Sequence, residues 1–214
     1  MRWDELFDDL AGQFDAELEA EQRRSAIEDE RLRLARLTLR ERITALERTL
    51  EPGESVTLLV DSGDRLEVLP IEFGADWFSA RPALSTSGAG MPSSSASTHS
   101  RQPEATIIVP IAGISSLLLT ESQVARSLTP ASEHPASLAG RLGFAIPLRD
   151  LARRRVPCEF LTAMGQCFGT IDRVGRDHVD VAIHDLASVR RAENVRVYRV
   201  IPFAQMFLVR TNAS

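Results

Sequence analysis

Thiols are the most reactive side chains in this sequence, and one of the two, that of Cys167, lies in the motif Gly165-Gln166-Cys167-Phe168-Gly169. A Gly-x-Cys-x-Gly motif can form a nucleophile elbow when it joins a strand to a helix, because the helix N-terminus helps to form the thiolate. Strand patterns flank this motif on both sides, so we predict a buried structural thiol and no catalytic residue. Cys158 lies on the preceding predicted strand and could face Cys167. In a reducing cytoplasm both thiols are expected to stay reduced.

Two histidines raise the question of a metal site. His178 and His184 lie six residues apart on or near one predicted strand, with Asp177, Asp180 and Asp185 nearby. Residues six apart on one face of an extended strand are separated by about 20 Å, so one ion cannot reach both imidazoles. We therefore predict two polar residues at the rim of the strand, and neither a metal nor a cofactor.

Several arginines are clustered in the second half of the sequence, where they could neutralise phosphate groups. The candidate nucleic-acid contacts are Arg173, Arg176 and Arg199. Tyr198 and Phe203 are the candidates for stacking on bases, and both also fit a core or a strand edge. Alternatively, Arg153–Arg155 complete a helix C-terminus, where cations interact favourably with the helix dipole, and the others lie in solvated loops. Nucleic-acid binding is therefore the alternative and not the favoured function.

The first 50 residues carry two apolar stripes at helical spacing. The first stripe consists of Trp3, Phe7, Leu10 and Phe14, which share one helical face. The second runs from Leu32 to Leu50, and a polar segment separates the two. We predict one long acidic helix, or two in tandem, within residues 1–53, ending at a Pro-Gly stop signal. The first stripe packs on the chain's own strands or docks on another protein. The second packs on the neighbouring strands or pairs with a second chain.

Composition and charge bound the class of protein. Hydrophobic residues make up 43% of the 214 residues and charged residues 26%, which supports a folded core. Residues 1–120 hold 12 arginines and 21 acidic residues, a balance of −9, whereas residues 121–214 hold 13 and 9, a balance of +4. Opposite signs suggest different partners or attraction between the halves. The acidic N-terminus has no apolar h-region and no apolar run has the length of a membrane span, so we predict a cytoplasmic protein.

Strand patterns fill two later blocks, residues 54–120 and 156–214. Within the first block, a Ser-, Gly- and Pro-rich tract at 81–104 is predicted to be a disordered loop, because burial of its few apolar residues cannot offset the conformational entropy lost on ordering. Residues 121–155 are predicted to be a linker with one short helix. Each block offers three strands, a variable loop, a fourth strand, a turn containing proline and a fifth strand. Proline before the last strand is typical of a one-turn 3₁₀ connector.

The two blocks share landmarks in the same order, which indicates an internal duplication. The paired landmarks are Gly63 with Gly165, Gly74 with Gly175, and Pro110 with Pro202. This order of strands and turns resembles the Sm-like branch of the SH3-type small barrels. It also resembles actinobacterial proteins with an acidic N-terminal helix ahead of two such blocks. The resemblance implies an α+β fold, with a long N-terminal α-helix followed by two small five-stranded Sm/SH3-like β-barrels.

Sm proteins bind single-stranded, uridine-rich RNA through an Asp-x-aromatic-Met-Asn loop and an Arg-Gly pair. Only Asp177 and Arg199 match here, and the Met-Asn pair and the glycine are missing. We therefore expect a non-enzymatic binding or scaffold protein that acts through its N-terminal helix and tandem barrels on a protein partner or a second copy. The alternative is an RNA- or DNA-associated regulator that uses the arginine-rich second barrel.

Overall fold

Two helices in tandem precede the strands in the computed structural model. It describes the backbone of residues 3–83, 105–130, 138–185 and 194–211, and their side chains except those of residues 3–11 and 15. Helix α1 (Trp3–Arg36) and helix α2 (Leu39–Thr49) are separated by Leu37 and Thr38. Along α1, ion pairs such as Glu19–Arg23 and Glu30–Arg33 join successive turns, which supports a helix whose middle is polar.

The chain divides into two compact units, residues 1–39 and residues 40–214. In the first unit, the described apolar side chains of α1 are exposed, Leu32 among them. In the second unit, Ile43 and Leu46 of α2 are fully buried. The second apolar stripe is therefore split, and only its α2 part contributes to a core.

Among the described residues, ten strands form one antiparallel sheet. In the first block these are β1 (Val56–Val60), β2 (Arg65–Phe73), β3 (Trp77–Pro82), β4 (Thr106–Pro110) and β5 (Ile114–Leu118). The second block contains β6 (Pro157–Thr162), β7 (Gly165–Val174), β8 (His178–Ile183), β9 (Val197–Pro202) and β10 (Met206–Thr211). The strand order is β5-β1-β2-β3-β4-β10-β6-β7-β8-β9. We call β1–β5 block 1 and β6–β10 block 2.

The prediction of two closed five-stranded barrels is wrong. The sheet is open and has β5 and β9 at its ends, because β4 pairs with β10 of the other block rather than with β5. The pairing brings Ile108 opposite Val209 and Thr106 opposite Thr211. Strands β4 and β10 are both strongly apolar, and their pairing covers two strand edges that would otherwise lack a hydrogen-bonded neighbour. The sequence identifies apolar strands of this kind but not which edge each one will join.

The three paired landmarks occupy equivalent places in the two blocks. Gly63 and Gly165 have φ values of +86° and +93° in the turns after β1 and β6. Both values lie in the left-handed region that glycine adopts without strain. Pro110 and Pro202 each precede a one-turn 3₁₀ helix, as predicted, at Ile111–Gly113 and Phe203–Gln205. We propose that an internal duplication is the origin of this correspondence.

Residues 121–155 were predicted to be a linker with one short helix. Their described part holds two α-helices, α3 (Glu121–Ser127) and α4 (Ala145–Arg154), and a turn of 3₁₀ helix at Ala139–Arg141. Helix α3 begins with a capping box between Thr120 and Gln123, which satisfies two backbone donors. Helix α4 buries Leu148 and Leu151 in a core that block 2 dominates and that includes Phe160, Ile171 and Met206. Arg81 and Pro82 belong to β3, and the rest of the predicted loop, from residue 84 to 104, lies outside the described residues.

Candidate protein-interaction site

Cys167 is buried within β7, with strand on both sides of it. Burial raises the pKa of its thiol, and the neighbouring Arg199 partly offsets that rise. Burial also raises the pKa of the Cys158 thiol, to about 12, and this thiol donates to the Val156 carbonyl. The buried thiol predicted at Cys167 is confirmed. The two cysteines are not directly opposite, since Cys167 pairs with Phe160 and Cys158 with Gly169. Thiols with raised pKa values are poor nucleophiles at neutral pH.

The two histidines occupy different environments. His184 is 2% exposed, so its predicted place at the rim is wrong. Its Nδ1 donates to the Asp185 carbonyl at 3.0 Å, and its Nε2 lies 2.8 Å from the Thr170 hydroxyl. Because a carbonyl only accepts, Nδ1 of His184 carries the proton that it donates to Asp185. His178 is half-buried and its Nδ1 lies 2.8 Å from Oδ1 of Asp177. Within the described ranges, no cluster of three His, Cys, Asp or Glu residues has the geometry to hold a metal.

The three arginines proposed to contact nucleic acid do not form one patch. Arg199 on β9 lies opposite Val181, and Arg173 on β7 lies opposite Asp180; because successive residues of a strand point to opposite faces, the two arginines lie on opposite faces of the sheet. Arg173 also lies 3.9 Å from Asp180, and Arg176 is exposed in the turn after β7. Elsewhere in this half, Arg153 and Arg154 both pair with Asp150. Local acidic partners therefore compensate much of the positive charge.

The N-terminal apolar stripe lies on α1. Phe14 is 69% exposed, as a docking residue must be. The side chains of Trp3, Phe7 and Leu10 lie outside the described residues, so the docking surface stays a prediction for three of its four members.

Strand β9 is the exposed feature that the sequence did not single out. Val197, Tyr198 and Val200 are 56%, 60% and 61% exposed, although β-branched and aromatic residues normally pack against neighbours in a sheet. One side of β9 pairs with β8, and on the other side no strand among the described residues joins it. The available signal was the run of β-branched and aromatic residues through Val197, Tyr198, Val200 and Ile201, which marks a strand but not its place at an edge.

A long apolar edge strand is a template for pairing with another chain, and natural proteins usually protect such edges. The opposite end of the sheet, β5, carries Leu118, which is also exposed. The described part of the chain thus presents two unpaired strand edges, one at the end of each block.

The last two findings concern membrane-spanning helices and similarity to known proteins. No helix in the described ranges combines the length and the apolar character needed to cross a membrane. No protein-family model matches the sequence, and neither a curated protein nor a solved structure is significantly similar to it.

Proposed function

We propose that this protein is a non-enzymatic binding protein that assembles with further copies of itself through the two exposed edges of its sheet. The observation that carries the proposal is the exposed apolar edge strand β9. The sites that could have supported catalysis point the same way, because Cys167 is a buried strand residue and the histidines hold separate partners.

The junction inside the chain suggests how two copies meet. Strand β4 is the fourth strand of block 1 and pairs with β10, the fifth strand of block 2. Strand β9 is the fourth strand of block 2, and β5 is the fifth strand of block 1. Pairing of β9 in one copy with β5 in the next would repeat the junction already present within the chain. Such a head-to-tail contact generates a ring or an open filament, according to the rotation between copies.

Charge favours the same arrangement. The half that contains block 2 carries a balance of +4, and the half that contains block 1 carries −9. A head-to-tail contact places these opposite charges together, whereas a symmetric contact between two β9 strands places like charges together.

The test is sedimentation velocity of the full chain over a range of concentrations. We expect the wild-type protein to self-associate. We expect Val200→Arg to abolish association, because pairing of the edge strand would remove the arginine charge from water, which is unfavourable. Met164→Arg is the matched control, since Met164 is 81% exposed in the turn between β6 and β7. A wild-type chain that stays monomeric at all concentrations contradicts the proposal.

Nuclease treatment separates this proposal from the nucleic-acid alternative. We expect association to survive nuclease, because strand pairing does not depend on phosphate contacts. Association that nuclease abolishes would favour the arginine-rich half of the chain as a nucleic-acid contact.

A further inference from the structure

A tight turn in block 1 holds the start of a helix. Between β2 and β3, the Gly74 N–H donates to the Trp77 carbonyl at 2.8 Å. The Ala75 N–H and the indole Nε1–H of Trp77 both donate to the Leu142 carbonyl at 2.9 Å. Oδ1 of Asp76 accepts from the Phe144 N–H at 2.8 Å. Phe144 directly precedes α4, whose N-terminus has no side-chain cap from its own helix, so the turn supplies that cap.

The equivalent turn in block 2 has the same backbone geometry. The Gly175 N–H donates to the His178 carbonyl at 2.8 Å, and the Asp177 carbonyl accepts from the Phe203 N–H at 2.8 Å. In block 1 the Asp76 carbonyl accepts from the Ile111 N–H at 2.9 Å in the same way. The His178 ring lies over Gly175 as the Trp77 ring lies over Gly74.

The block 2 turn differs in that it is uncovered. The Asp177 side chain is 85% exposed, and no described segment takes the place that residues 142–144 take on block 1. Oδ1 of Asp177 contacts His178. A carboxylate has a second oxygen, so Oδ2 can accept a helix N–H while Oδ1 keeps the histidine.

The stretch that leads into block 1 matches the stretch that leads into block 2. Leu37-Thr38-Leu39 leads into α2, which begins at Leu39, and Leu142-Gly143-Phe144 leads into α4, which begins one residue later in this correspondence, at Ala145. Four residues after Leu39 comes Ile43, and four residues after Phe144 comes Leu148. Three residues further lie Leu46 and Leu151. All four of these helix residues are buried. Helix α2 therefore begins with the pattern that the block 1 turn binds at α4.

We infer that the Gly175–His178 turn of one copy binds Leu37–Leu39, at the start of α2, in a second copy. In this contact Asp177 accepts from the Leu39 N–H, and the Arg176 N–H donates to the Leu37 carbonyl. The inference rests on the proposed edge-to-edge association, and it names the second point of that interface. His178 pairs with Pro202 at the end of β9, so the turn and the exposed edge are neighbours.

Intermolecular disulfide trapping tests the contact directly. A Cβ built on Gly143 would lie 3.8 Å from Oδ1 of Asp76, and Thr38 is the residue that corresponds to Gly143. We therefore mix two full-length variants, Thr38→Cys and Asp177→Cys, under mild oxidation and measure the crosslinked heterodimer on non-reducing gels. The native thiols of Cys158 and Cys167 are buried. The control mixture is Thr38→Cys with Asp150→Cys, which places the second thiol on the exposed face of α4.

We expect about tenfold more heterodimer from the Thr38/Asp177 mixture than from the control, because the contact raises the effective concentration of the two thiols. We also expect Asp177→Ala to weaken self-association about tenfold, the effect of one hydrogen bond to a charged group. Asp150→Ala should leave association unchanged. Self-association without enriched crosslinking overturns this inference and leaves the edge-strand proposal standing. A chain that does not associate at all overturns both.

Discussion

The two blocks use the same strand order and the same turns, but block 1 is covered where block 2 is exposed. Strand β4 is paired by β10, and the Gly74–Trp77 turn caps the start of α4. No described segment covers the corresponding strand β9 or the Gly175–His178 turn. Exposure therefore depends on the position of each block along the chain and not on its own strands. Block 1 is covered by β10 and by residues 142–144, whereas no described segment takes those places on block 2.

The strongest test of the comparison uses one pair of equivalent strand residues. Counting back from Pro110 and Pro202, Ile108 of β4 corresponds to Val200 of β9, and Ile108 is 6% exposed whereas Val200 is 61% exposed. We expect Ile108→Ala to lower the free energy of unfolding by about 2–4 kcal/mol, because it leaves a cavity between β4 and β10. Val200→Ala should change it by no more than about 0.5 kcal/mol. Urea denaturation under dilute, monomeric conditions measures both.

Equal effects of the two substitutions would contradict this comparison. In particular, a large loss with Val200→Ala in the monomer would mean that β9 is covered within its own chain. The edge-strand proposal would then lose its basis.

A smaller difference in stability is expected between alanine substitutions in the two glycine turns. A Cβ on Gly74 would lie 2.0 Å from Nε1 of Trp77, and a Cβ on Gly175 would lie 2.5 Å from Cε1 of His178. The buried indole is fixed by its bond to the Leu142 carbonyl, whereas the half-exposed imidazole can turn away. We expect Gly74→Ala to cost about 1–3 kcal/mol of stability through overpacking, and Gly175→Ala less than about 1 kcal/mol. Thermal unfolding followed by circular dichroism measures the difference. A larger loss at Gly175 would show that its turn is the more constrained of the two.

The sequence predicted the local elements well because their signals are local. Alternation defined β8, the left-handed glycines marked turns, and Pro110 and Pro202 marked 3₁₀ helices. The closure of each block into a barrel was predicted wrongly, because closure depends on which edges pair. The pairing of β4 with β10 joins residues about 100 positions apart, such as Ile108 and Val209. No pattern within either strand distinguishes that partner from β5.

The site residues show the same difference between local signals, which the sequence carries, and contacts between strands, which it does not reveal. Burial of Cys167 followed from the strand patterns around it, but burial of His184 depends on Thr170, which lies on a neighbouring strand. The exposed surface of β9 was missed because Val197, Tyr198 and Val200 have the composition of a core strand. Asp177 was noted as a neighbour of the histidines and for its partial match to an RNA-binding loop, and its likeness to Asp76 becomes informative once the helix start bound by Asp76 is known.

The smallest expected effect on folding comes from the N-terminal stripe. Residues 1–17 belong to the unit formed by residues 1–39, whereas the sheet lies in residues 40–214. Removing residues 1–17 should therefore leave the unfolding temperature of the sheet unchanged, as measured by circular dichroism. Both β5 and β9 remain in the truncated chain, so we expect self-association in sedimentation velocity to remain as well. Loss of association with an unchanged sheet would identify Trp3, Phe7, Leu10 and Phe14 as the self-association surface in place of β9. Loss of the folded sheet would instead show that this stripe contributes to the core, because core side chains, unlike docking side chains, are needed by the monomer.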